Sequence, residues 1–359
     1  MMHAPIGRLA LGVLLHGSGG HWAGWRHPQG AASGQLDYPF HEFLAMKLER
    51  GRIDAIFRPD LLAPWGEGPG LNKAARADHF EPLTLLSGLA GATQHLGLVA
   101  TGSTTYWPAD RLARRFASLD TISGGRAGWN IVTSYHLARE LATLDIMSGG
   151  RAGLPLDPQP DATERATGLL VRQEAPAARR RAEEYLGVHQ GLWDSFDDDA
   201  FVHDRATGVC FRADGMHPLD HDGPHYRVAG PLNIAAPPQG HPVTLAAWGP
   251  TADRAGLPDY QVTNRPTPSR TLRIAPLSLA AEPPEDTVAR IRRLLHEERP
   301  TGLLIDLLGG PASLEFFAAR TLPMLREHGL APCASRAART LRSRLGLEQP
   351  ADRPARRSA

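Results

Sequence analysis

Seven short apolar runs recur along the chain, each closing in polar or Gly-rich residues: Leu9–Leu15, Ile53–Phe57, Leu96–Thr101, Ala127–Thr133, Val243–Ala247, Leu272–Leu277 and Leu303–Leu308. Runs of that length without alternation read as strands buried on both faces. Helical patterns lie between the early ones. Tyr38–Arg50 carries Phe40, Phe43, Leu44 and Leu48 at helical spacing and is closed by Gly51, and Phe80–His95 and Leu112–Leu119 continue the series. Strand alternating with helix over the first 135 residues predicts right-handed βα units and a parallel sheet, an α/β protein with either a barrel or an open sheet.

The middle of the chain breaks this rhythm. Residues 155–182 are rich in Pro, Ala and Arg and read as an exposed excursion with one irregular helix. Residues 193–241 carry Asp, Gly, His and Pro with short alternating segments such as Tyr226-Arg227-Val228, which predicts a small hairpin insertion. One repeat stands out: Leu112-Ala113-Arg114 through Ser123-Gly124-Gly125-Arg126-Ala127-Gly128 recurs 25 residues later, ending in Ser148-Gly149-Gly150-Arg151-Ala152-Gly153. A single recurrence is a local duplication, since a solenoid needs at least about three units. We expect one barrel-sized domain over residues 1–347, holding an excursion and insertion at 155–241, and a disordered polar tail at 348–359.

Composition narrows the class. The 359 residues are 42% hydrophobic and 21% charged, with a net charge of +1. Such neutrality argues against a dedicated nucleic-acid binder. Only Lys47 and Lys73 are lysines, which reads as a coding bias towards Arg. Cys210 and Cys333 form no zinc spacing or disulfide framework, consistent with a reducing cytoplasm. No apolar run reaches the ~18 residues of a membrane helix.

Three groups of residues could carry chemistry. His16-Gly17-Ser18-Gly19-Gly20 follows a strand like a hydrolase oxyanion loop, but no Gly-x-Ser-x-Gly elbow accompanies it. His217, His221 and His225 are spaced like metal ligands on a helix, yet Pro218, Gly223 and Pro224 forbid that helix and leave a solvated hairpin loop. Third, Asp60, Ser103-Thr104-Thr105, Asn130 and Thr133 follow successive strands. In a (βα) barrel such ends converge on one mouth and would suit a heteroaromatic ring with several donors and acceptors.

The chain also resembles a known family. His16-Gly17-Ser18-Gly19, His21, Trp25-Arg26-His27-Pro28, Glu81-Pro82-Leu83, Leu112-Ala113-Arg114-Arg115-Phe116, Ser123-Gly124-Gly125-Arg126-Ala127-Gly128-Trp129-Asn130 and Ala182-Glu183-Glu184-Tyr185 are similar to the bacterial luciferase-like flavin monooxygenases, in the branch holding nitrilotriacetate and dibenzothiophene-sulfone monooxygenases. The resemblance implies a TIM-like (βα)8 barrel that binds reduced FMN, supplied by a separate NAD(P)H-dependent flavin reductase, and oxidises a small organic substrate through a flavin C4a-peroxide. By the same resemblance Asp60, Ser103, Thr104 and Asn130 border the isoalloxazine, Thr251 stands by the phosphate, and His16 and His21 face the substrate. No metal is implied, and a homodimer is the family's usual state.

The family pattern is also broken in places. A His-x-x-x-Tyr pair that helps hold the flavin falls here on Ala175 and Arg179. Residues 259–271 read as a sixth strand and a Pro-rich stub where a full helix belongs, so shortened outer helices are expected. Two readings of different class follow: a flavin-dependent monooxygenase, or a barrel descendant that has lost flavin and acts as a binding protein.

Overall fold

A computed structural model describes residues 9–16, 36–60, 80–103, 107–132, 175–248, 259–262, 273–279, 283–298, 302–307, 311–331, 340–345 and 347. Strands β1 (Ala10–Leu14), β2 (Ala55–Arg58), β3 (Gly97–Ser103) and β4 (Ala127–Val132) alternate with helices α1 (Tyr38–Arg50), α2 (Pro82–Ala92) and α3 (Ala109–Ser123). Helix α4 (Ala175–Trp193) leads to two ribbons, β5 (Phe201–Asp204) with β6 (Val209–Phe211) and β7 (His221–Asp222) with β8 (Arg227–Val228). The chain returns through β9 (Val243–Trp248), β10 (Asp259–Val262), β11 (Arg273–Leu279), α5 (Pro284–Glu298) and β12 (Gly302–Leu307). It ends with α6 (Pro311–Phe316), a π-turn at Phe317–Thr321, α7 (Leu322–Glu327) and α8 (Leu341–Arg344).

Eight strands close into a barrel in the order β1-β12-β11-β10-β9-β4-β3-β2. The expected strands lie within two residues of their predicted ends, and the hairpin insertion is present as two ribbons. One feature departs from a regular (βα)8 pattern: β10 runs antiparallel to both β9 and β11. Ten residues separate Trp248 from Asp259, and ten separate Val262 from Arg273. A parallel crossover needs a dozen or more, so the chain reverses directly. The second copy of the repeat and the tail after Leu347 lie outside the described residues.

The barrel is packed from its N-terminal end. Leu14, Ala55, Phe57, Val99, Val243 and Leu304 form one buried cluster with Leu341 of α8, which plugs that end. The plug needs backbone room: a Cβ on Gly97 would lie 2.6 Å from Leu341 Cδ1. Buried polar groups hold α8 in place. Leu341 N donates to Gly125 O at 2.8 Å, and Arg342 N donates to Gln239 Oε1 at 2.9 Å. Gln239 N donates in turn to Asp120 Oδ2 at 3.1 Å. Burial pushes the Asp120 carboxyl up to about 6 although Gln239 and Ala127 donate to it.

The segment 123–130 explains itself residue by residue. Gly124 (φ 66°) caps α3 in the left-handed region, and Gly125 (φ 85°) leaves no room for a side chain against Thr340. Arg126, buried, uses all five N–H groups. Nε donates to Ser123 O, Nη1 to Thr93 Oγ1 and Leu96 O, and Nη2 to Ala90 O and Thr93 O, at 2.6–3.0 Å. It thereby satisfies carbonyls that the end of α2 leaves open. Trp129 points away from the barrel axis and packs on Phe116 of α3 and on Tyr185, His189 and Trp193, one face of α4. Tyr185 Oη, Trp129 Nε1 and Trp193 Nε1 each donate to a backbone carbonyl, but His189 Nε2 is buried without a partner among the described residues. Burial drives the His189 imidazole down to about 3 and keeps it neutral.

Two stability predictions follow from these groups. Arg126→Met strands five buried acceptors and should lower stability by about 3 kcal/mol or more in urea unfolding. His189 is neutral when folded and titrates near 6.5 when unfolded, so it favours the folded state above that pH and loses this as pH falls towards 3. Relative to His189→Leu, the native chain should therefore lose about 2 kcal/mol between pH 7 and pH 5. A pH-independent difference between the two proteins would refute the buried neutral imidazole.

Candidate active site

Strand alternation carries the interior-facing rows of the barrel upward from the apolar layer. Two residues beyond Leu14, Val99, Gly128 and Leu304 come His16, Thr101, Asn130 and Asp306. The barrel is thus apolar below and polar at the C-terminal mouth, the end where a (βα) barrel gathers its ligands. Ser103 shares the face of Thr101, at the last position of β3.

The hydrogen bonding here sets directions. The Thr101 hydroxyl donates to Arg58 O at 2.9 Å, so its lone pairs can only accept. Asn130 Nδ2 is the donor it receives, at 3.1 Å. That fixes the carboxamide: Oδ1 is turned away from Thr101, buried, and accepts no hydrogen bond among the described residues. Asn130 is 8% exposed, so this oxygen is shielded from solvent as well and is suited to an N–H donor on a ligand. On the same mouth, His16 Nε2 lies 3.8 Å from Asp306 Oδ1, both side chains mostly buried. The pair joins β12 to the end of β1, strands that are neighbours in the barrel.

Arg58, the last residue of β2, alternates with the inward-facing Phe57 and so stands on the outer face with Ile56 and with Ala100, its partner in β3. Its Nη1 donates to Leu15 O at 2.7 Å, at the level of His16. Burial pushes the guanidinium down to about 10, with the Asp60 charge acting in the opposite direction. Asp60 itself is half-buried beyond the end of β2.

Of the expected site residues, His16, Asp60, Ser103 and Asn130 stand at or just beyond strand ends on this mouth. His21, Thr104 and Thr251 lie outside the described residues, as do the side chains of Ala175 and Arg179. Sequence reasoning missed Thr101 and Asp306. The signal for Thr101 and Asp306 was the alternation itself, a polar residue two positions beyond a buried Val99 or Leu304. The histidine cluster does not converge: His217 faces Asp197 at 3.3 Å and His221 faces Glu184 at 2.9 Å. Among the described residues, no group of three or more His, Cys, Asp or Glu could hold a metal. No helix among them is long and apolar enough to cross a membrane.

Comparison with known proteins bears on this geometry. The sequence model of the luciferase-like monooxygenase family matches residues 18–136 and 135–256. The chain is 38% identical over 250 residues to N-acetyl-S-(2-succino)cysteine monooxygenase of Bacillus subtilis, covering 70% of this chain and 50% of that protein. It is 36% identical to nitrilotriacetate monooxygenase component A of Aminobacter aminovorans, covering 67% and 49%. The chain thus spans about half the length of these curated relatives. DmoA from Hyphomicrobium sulfonivorans, a solved structure, superposes with a TM-score of 0.74 at 19% identity, covering 98% of this chain and 95% of that one. This similarity extends to the barrel fold.

Proposed function

Because the chain belongs to the luciferase-like monooxygenase family, we propose that it is an FMNH2-dependent monooxygenase that uses dioxygen to oxidise a small organic substrate containing sulfur or nitrogen. The observation that carries this reading is the Asn130 carboxamide. A buried acceptor held outward by Thr101, at the mouth of a barrel, fits the imide N–H of an isoalloxazine. Asp60, Ser103 and Thr104 would border the same ring, Thr251 would approach the phosphate, and His16 and His21 would face the substrate. Bound reduced flavin supplies the electrons that activate dioxygen.

The chain's own part is orientation and dryness. Thr101 holds Asn130 in one of its two amide orientations, so the ring would meet an acceptor rather than a donor. The Leu14, Phe57, Val99 and Leu304 layer, plugged by Leu341, closes the barrel against water from below. His16, beside Asp306, is placed to take up or release a proton at Nε2. The reduced cofactor would come from a separate NAD(P)H-dependent flavin reductase in the cytoplasm, and the chain would work as a homodimer. Two relatives act, by name, on N-acetyl-S-(2-succino)cysteine and nitrilotriacetate, which supports a small heteroatom-bearing substrate.

Anaerobic fluorescence titration with photoreduced FMN tests this. Saturable binding at roughly micromolar Kd is expected. Asn130→Ala should weaken it about tenfold or more, one buried hydrogen bond being worth about 1–1.5 kcal/mol. Asp60→Ala should weaken it as well. A folded preparation that takes up no FMN at roughly 500 µM would leave the other reading, a barrel that has lost the cofactor and serves as a binding protein.

A further inference from the structure

Strand β12 carries one charged residue, Asp306, and it points inward. Its inward neighbour Leu304 belongs to the apolar layer of Leu14, Phe57 and Val99, whereas Leu303, Ile305 and Leu307 pack towards the helices. The register of β1 on β12 sets Val13 beside Ile305, so Leu14 stands level with Asp306 and His16 one inward position above it. That offset lets the His16 ring reach down to the carboxylate, Nε2 to Oδ1 at 3.8 Å, with side chains only 12% and 9% exposed.

Three other histidines face carboxylates: His217 faces Asp197, His221 faces Glu184 and His241 faces Asp194. Those pairs fasten the insertion or the end of α4. The His16–Asp306 pair differs in being made by two residues of the barrel interior, at its mouth. A carboxylate so shielded is costly unless a cation or donors meet it. Strand β2 ends in Arg58, on the outer face, with half-buried Asp60 beyond it, while β3 and β4 present Thr101, Ser103 and Asn130, none of which carries a charge. Among the described residues of the inner wall, His16 is thus the group that can become a cation beside Asp306. Burial alone keeps an imidazole neutral, as it does for His189 among its aromatic neighbours. An opposite charge at this range acts in the other direction and favours the protonated ring.

We propose that Asp306 is a positioning residue for the oxidation: its carboxylate holds the His16 ring with Nε2 towards β12 and keeps both ring nitrogens protonated, so that His16 meets the substrate as a proton-donating cation. This deepens the monooxygenase reading and rests on it for what the proton serves, but the pair itself can be tested without turnover or cofactor.

The readout is the protonation state of the two His16 ring nitrogens at about pH 7, seen in long-range 1H–15N correlations of protein labelled with 15N-histidine and assigned by their loss in His16→Gln. Both nitrogens of the native protein should resonate as N–H without FMN. Asp306→Asn should turn one of them into a bare ring nitrogen, Asp306→Glu should restore the doubly protonated ring, and Asp60→Asn should leave it as in the native chain. Reduced FMN should bind Asp306→Asn within about twofold of the native affinity. A neutral His16 in the native protein would overturn the proposal, and that measurement stands even if the variants fold poorly. So would a doubly protonated ring that survives Asp306→Asn or is lost in Asp60→Asn instead. Loss of FMN binding in Asp306→Asn would overturn it too, by assigning the carboxylate to the cofactor. A ring kept doubly protonated by Asp306 in a protein that takes up no FMN would uphold the pair while removing the monooxygenase reading.

Discussion

The five hydrogen bonds of Arg126 are the fixed point on which the mouth of the barrel depends. They clamp the end of α2, the start of β3 and the end of α3 to one guanidinium, and β4 leaves directly from it. Four residues later, the direction that β4 has been given decides everything useful. Trp129 enters the aromatic layer against α4, and Asn130 enters the barrel. Because side chains alternate along a strand, a slip of one residue would exchange these two, placing an indole in the site and an amide among aromatic rings. Gly124 and Gly125 serve the same end, since their positive φ values turn the chain from α3 into β4 in two residues.

The barrel interior divides its work by height. Below, Leu14, Phe57, Val99 and Leu304 are packed as an apolar layer, and α8 seals the base through Leu341. Above, the rows of Leu14, Val99, Gly128 and Leu304 end in His16, Thr101, Asn130 and Asp306, each able to give or take a hydrogen bond. The burial of such groups is costly unless they are paired, so the pairing shows what the protein keeps for itself. Thr101 is saturated by Arg58 O and Asn130, and Arg126 is saturated throughout. Asn130 Oδ1 is not, among the described residues.

On the far side, closure imposed its own solution. Ten-residue links on either side of β10 are too short for helical crossovers, yet an eight-strand ring needs a member between β9 and β11. An antiparallel strand keeps the ring bonded and leaves no open edge. Among the described residues no helix lies between β9 and β11, while the β1–β4 half has helices α1 to α3 and carries most of the polar residues of the mouth.

Local pattern was sufficient for much of this. The apolar runs marked the barrel strands, the spacing of Phe40, Leu44 and Leu48 marked α1, and the positions after the strands marked Asp60, Ser103 and Asn130 as residues of one mouth. Those features repeat at short range, so neighbouring residues suffice to reveal them. The direction of β10 was not legible, because it depends on the length a link must span in a closed ring. Nor was the role of α8, whose four residues matter only because Gly97 leaves a hole for Leu341. The pairing of His16 with Asp306 joins residues 290 positions apart, and the orientation of the Asn130 amide depends on a proton that Thr101 gives to Arg58 O. Such properties arise from which groups are left without partners once every strand is in place, and only the folded chain decides that.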